Sequence, residues 1–68
     1  MDDTSSAFLQ INKKRIKCRT NSPLWKIMKE NRLSISAYLV IRAGKMITDD
    51  EIVHPGDLIE LIPVVSGG

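Results

Sequence analysis

The residues best equipped for chemistry are the final pair, Gly67 and Gly68. A carboxylate is a poor acyl donor until it is joined to a good leaving group, and that activation must happen inside another protein's active site. Two residues without side chains can reach backbone conformations closed to others, thread a narrow channel, and leave the last carbonyl open to attack from either side. A Cβ on Gly68 would crowd that carbonyl. Val64, Val65, Ser66 and Gly67 would supply extended contacts to a partner groove. Gly-Gly arises by chance about once in 200 dipeptides, so its weight comes from following a foldable domain directly.

The remaining candidates are weaker. Cys18 alternates with cations and has only His54 beside it as a soft ligand, so the pair cannot furnish a four-ligand zinc site. Cys18 therefore reads as a small core residue, and His54, ahead of Pro55-Gly56, as a turn residue without a partner for base catalysis. Five of the ten basic residues fall between Lys13 and Arg19, with acids at Asp49 to Glu51, Asp57 and Glu60. Phe8 and Trp25 could stack on bases beside that basic run, but two such aromatics more often pack or anchor a protein contact. Nucleic acid is not expected as a partner.

At 68 residues there is room for one domain. A chain of about 60 residues buries only about 60% of its unfolded surface, which leaves little room to enclose a substrate, so an enzyme is not expected. With 43% hydrophobic and 26% charged residues the chain is too apolar for disorder. One cysteine excludes an internal disulfide framework. No apolar run approaches the roughly 18 residues that span a bilayer, and Met1-Asp2-Asp3 is unlike a signal peptide. These features point to a cytoplasmic protein that is monomeric when free, needs no membrane, and holds no metal or bound cofactor.

The elements that must position the tail follow from the hydrophobic pattern. After a flexible leader at residues 1–6, two alternating runs at 7–12 and 15–20 form a hairpin around a tight turn at Asn12-Lys13-Lys14. Ser22 is placed to cap a helix and Pro23 to occupy its first position. Leu24, Ile27 and Met28 supply one apolar stripe over about three turns. Tyr38 to Arg42 is a β-branched and aromatic strand, followed by the Ala43-Gly44-Lys45 turn and a short edge strand at Met46-Ile47. His54-Pro55-Gly56-Asp57 has the residue order of a type II turn, and Leu58 to Ile62 is the last strand. The order ββαβββ makes the chain α+β, one mixed sheet laid over one helix in the β-grasp arrangement. The domain spans 7–62, and 63–68 is a flexible tail. Leu9, Ile11, Ile16, Val40, Ile59 and Leu61 should meet Leu24, Ile27 and Met28 in the core. Alternation then turns Ile41, Leu58 and Ile62 outward as a candidate partner-binding patch, with Arg19 and Arg42 as cations at its rim.

The stretch from Val40-Ile41-Arg42-Ala43-Gly44-Lys45 through Pro55-Gly56-Asp57-Leu58-Ile59-Glu60 to Val64-Val65-Ser66-Gly67-Gly68 resembles the ThiS/MoaD family of sulfur carriers and, more distantly, ubiquitin and its related modifiers. The likeness covers about residues 7 to 68 and rests on pattern alone in the first half. It implies a ubiquitin-like β-grasp fold and a Gly68 carboxylate adenylated by an E1-like enzyme that uses ATP and magnesium. It further implies a thiocarboxylate whose sulfur, taken from a donor, passes to an enzyme making thiamine, molybdopterin or a thiolated tRNA base. The alternative is a protein modifier joined through Gly68 to target lysines. The pattern does not choose among these pathways, and it assigns the acidic leader no role.

Overall fold

A computed structural model describes residues 6–64. Its main sheet has five strands, β1 (Ala7–Ile11), β2 (Lys14–Cys18), β4 (Tyr38–Arg42), β5 (Lys45–Met46) and β7 (Leu58–Pro63). They lie in the order β2-β1-β7-β4-β5. Only the β1–β7 pairing is parallel, so the sheet is mixed. A two-residue ribbon, β3 (Ser22–Pro23) with β6 (Ile52–Val53), stands apart. The helix α1 (Leu24–Glu30) packs on one face, and a 3-10 turn at Ile35–Ala37 leads into β4. This is a small α+β fold with five sheet strands and one helix, compatible with the β-grasp arrangement.

Strand alternation gives the core. Leu9, Val40, Ile59 and Leu61 are buried against Leu24, Ile27 and Met28, with Ile11 and Ile16 packed at the margin. Ala7, Cys18 and Val53 complete the buried set. Register explains why these side chains share a side, since Leu9 opposes Ile16 on one neighbour and Ile59 on the other, while Leu61 opposes Val40.

The helix starts differently from the sequence expectation. Ser22 and Pro23 pair with β6 instead of capping, and no side chain caps the start of α1. Its first orphan amides are satisfied by the backbone: Leu24 N–H donates to Glu51 O and Trp25 N–H to Asp49 O, both at 2.9 Å. A polar connection therefore does the work of an N-cap. The helix is also shorter than expected, 7 residues, because Arg32 adopts φ 61° and closes it. Arg32 N–H bonds Lys29 O at 3.0 Å and Leu33 N–H bonds Met28 O at 2.8 Å, the paired bonds of a Schellman ending.

The turns match their residues. Gly56 has φ 86° and Asp57 N–H reaches His54 O at 3.1 Å, as a type II turn with Pro then Gly requires. Ala43 and Gly44 both have positive φ, 54° and 79°, as a two-residue hairpin loop with the twist of the strands demands.

Candidate functional site

The last strand, β7, lies between β1 and β4 and so has a fixed direction and register on both sides. Its inward residues Ile59 and Leu61 are buried, and its outward residues Leu58 and Ile62 are 38% and 43% exposed. Pairing runs past the expected boundary at Ile62. Pro63 opposes Tyr38, and Val64 N–H donates to Ala37 O at 2.9 Å, so residues 63 and 64 belong to the folded body. Val65, Ser66, Gly67 and Gly68 lie outside the described residues. At the other end, Ser6 O accepts from Gly56 N–H at 2.8 Å, which ties the last residue of the expected leader to the type II turn.

Cross-strand register assembles the outward patch. Leu58 opposes Phe8 on β1, and Ile62 opposes Leu39 on β4. Ile41 opposes Glu60 on one side and Met46 on the other. Leu39 is 44% exposed and Met46 65%, while Phe8 and Ile41 are half-buried. The face thus carries apolar side chains from β1, β4, β5 and β7 around one central carboxylate, Glu60. Sequence reasoning found Ile41, Leu58 and Ile62 but missed Leu39 and Met46. The signal for Leu39 was available, since it has the same parity as Ile41 on a single strand.

Arg42 borders this patch, sharing a hollow with Leu58 and Glu60, while its guanidinium is engaged by other partners. It opposes Ile59 in register, on the parity of the buried residues, and reaches toward the connection before β7. Its guanidinium donates to Glu51 Oε1 at 3.0 Å, to Asp57 Oδ2 at 3.3 Å and to Ile52 O at 3.1 Å. Asp57 also accepts from His54 N–H at 2.9 Å. The role is to join the end of β4 to the two segments that precede β7. Arg19 is likewise engaged away from the patch, in a two-bond pair with Glu30 of the helix at 2.9 and 2.6 Å.

Cys18 is buried, and that burial, with the Asp57 carboxylate adding a smaller effect, pushes its thiol pKa up. A thiol held protonated is a weak nucleophile and a weak metal ligand. Among the described residues no three His, Cys, Asp or Glu side chains form a metal cluster, and no helix is long and apolar enough to cross a membrane. Two shallow open depressions flank Glu60, one of about 430 Å³ lined by Arg42, Gly44, Asp57 and Leu58, the other of about 150 Å³ beside Gln10 and Pro63. Both are open surface hollows without a converging set of catalytic groups. The geometry offers an open apolar face and a strand whose last described residue, Val64, lies at its end.

Neither a protein-family model nor a curated protein sequence gives a significant match to the chain.

Proposed function

We propose that this protein is a ubiquitin-like β-grasp sulfur carrier that acts through the Gly68 carboxylate and performs no catalysis itself. The observation that carries the reading is that the central strand bearing Leu58 and Ile62 runs directly to Val64, with Val65-Ser66-Gly67-Gly68 following in sequence. Four residues span at most about 14 Å, so an enzyme acting on Gly68 has to hold the body close to Val64. The apolar face around Leu39 and Ile62 is the surface available there.

In the proposed cycle a Gly68 carboxylate oxygen attacks the α-phosphorus of ATP, with magnesium on the phosphates, and pyrophosphate leaves. A hydrosulfide then attacks the acyl carbon and AMP leaves, giving the thiocarboxylate and one proton. The loaded sulfur goes to an accepting biosynthetic enzyme. Attack by a lysine amine on the activated carbonyl would instead give the isopeptide bond of a protein modifier.

The test is incubation with an E1-like adenylyltransferase of the same cell and ATP, read by intact mass. The expected product is an adenylate on the full chain, converted by sulfide to a species heavier by the exchange of oxygen for sulfur, and neither after Gly68 is removed. Lysine-linked Gly-Gly remnants in cellular digests would instead mark the modifier. The proposal fails if no adenylate forms, or if the protein isolated from cells carries residues beyond Gly68.

A further inference from the structure

Sequence alone showed a basic run on one strand, whereas the fold extends it. Eight of the ten cationic residues lie between Lys13 and Arg32 against one acid, Glu30; eight cations less one acid leave a formal charge of +7. All eight are exposed. The remaining described chain carries Asp49, Asp50, Glu51, Asp57 and Glu60 against Arg42 and Lys45, and with Asp2 and Asp3 the net charge comes to +2, which conceals a basic 13–32 segment.

The structure sorts the strand cations by face: Lys14 shares the parity of the inward Ile16 and Cys18, on the helix side, whereas Arg15 and Lys17 oppose Gln10 and Phe8 and turn to the open face. β2 is an edge strand of the sheet, and Lys13 sits in the turn that precedes it. In α1 the buried residues are Leu24, Ile27 and Met28, which turns Lys26 and Lys29 to the solvent side of the helix. Arg32 follows at the helix end. The Arg19–Glu30 pair joins the segment after β2 to the end of the helix. Lys13, Lys14, Arg15, Lys26, Lys29 and Arg32 have no carboxylate partner among the described residues.

We infer that this β2–α1 side binds the phosphate backbone of nucleic acid, without base specificity. Interfaces between proteins deplete lysine at their centre and need an apolar core. Here the exposed side chains on the helix side are Lys14, Lys26, Lys29 and Arg32, and the one exposed aromatic, Trp25, lies at the first helical turn next to the acidic connection at 49–51. Phosphate binding needs no apolar core, because lysine and arginine gain affinity by releasing condensed counterions. The expectation against nucleic acid drawn from sequence weighed the Lys13 to Arg19 run with Phe8 and Trp25, and the inference adds the helix cations to it. The inference does not depend on the carrier reading, since the glycine pair takes no part in it.

Fluorescence anisotropy of a labelled single-stranded oligouridylate with the full chain tests it. With about four phosphates contacted, log affinity should fall against log salt with a slope of about −3, which is about 60-fold weaker binding between about 50 and 200 mM salt. Lys26→Gln with Lys29→Gln, both exposed and outside the core, should lower the steepness by about 1.4, and Lys13→Gln with Lys14→Gln should act similarly. Lys45→Gln, on the opposite sheet edge, should leave binding unchanged, as should removal of Gly67 and Gly68. Absence of binding at the lowest salt overturns the inference. So does salt-insensitive binding, an equal loss with Lys45→Gln, or displacement of the RNA by polyglutamate at matched charge, which would assign the face to an acidic protein.

Discussion

At the scale of single residues, Cys18 is where sequence and structure agree on an undramatic role. A thiol alternating with cations on a strand invites a redox reading, yet its side chain is in the core and its pKa is raised, first by burial and then by the Asp57 charge. The consequence for stability has a definite sign. The folded chain keeps the proton to higher pH than the unfolded chain, so stability is fully present below the unfolded pKa, near 8.5, and falls as pH rises toward the higher folded value. Denaturant unfolding between about pH 7 and 9.5 should therefore show a decline of at most about 1.4 kcal/mol per pH unit above pH 8.5. Cys18→Ala should lose that component while starting from a lower stability. Parallel profiles for the two proteins would remove the argument. Arg42 shows the opposite relation: its place on a strand suggested a surface cation, and only the tertiary fold brings Glu51 and Asp57 to it.

Among the elements, the helix has the most instructive ending. A left-handed conformation costs an L-residue about 1–2 kcal/mol, and glycine loses about 0.4–1 kcal/mol of that advantage through its freer unfolded state. Arg32, at φ 61°, bears this strain to place its amide and that of Leu33 on the last carbonyls. Arg32→Gly should therefore stabilise the domain by about 0.5–1 kcal/mol, seen as a higher denaturation midpoint at unchanged slope. A lower midpoint would show that the arginine side chain contributes more than its backbone costs. The same helix marks the limit of what was legible. Its apolar stripe at Leu24, Ile27 and Met28, the sheet strands and both glycine turns are local patterns, and they read correctly apart from strand ends: the second strand is Lys14–Cys18 where 15–20 was expected, and the short edge strand Lys45–Met46 where Met46-Ile47 was expected. Its start did not, because Ser22 and Pro23 have the local chemistry of a cap, but the Ile52–Val53 segment pairs with them and the carbonyls of Asp49 and Glu51 take the amides. Val53 was missed as a core residue for the same reason: two residues inside a polar connection have no period to read, and only a contact distant in sequence buries them. On the candidate site, parity alone identified Leu58 and Ile62, and it would have identified Leu39.

At the scale of the whole molecule, the sheet has two dissimilar faces. One is closed by the helix, and the other carries Leu39, Met46, Leu58 and Ile62 partly in solvent. A domain that buries so little surface has reason to place apolar side chains inside, so a cluster left on the open face beside the exit of β7 calls for a partner. The proposal separates stability from recognition at these positions. Ile62 is 43% exposed and lies opposite Leu39, a cross-strand pair of the kind that contributes about 0.2–1 kcal/mol. Replacing both, Leu39→Ser with Ile62→Ser, should lower folding stability by no more than about 1 kcal/mol. If these side chains serve only to hold the body against the activating enzyme, the loss falls on binding shared by ground and transition states. ATP–pyrophosphate exchange should then show KM for this chain raised about tenfold or more, equivalent to about 1.4 kcal/mol, with kcat nearly unchanged. An unaltered KM would detach this face from activation, whereas a fall in kcat at constant KM would mean that the face acts on the chemical step, contrary to the docking role assigned to it.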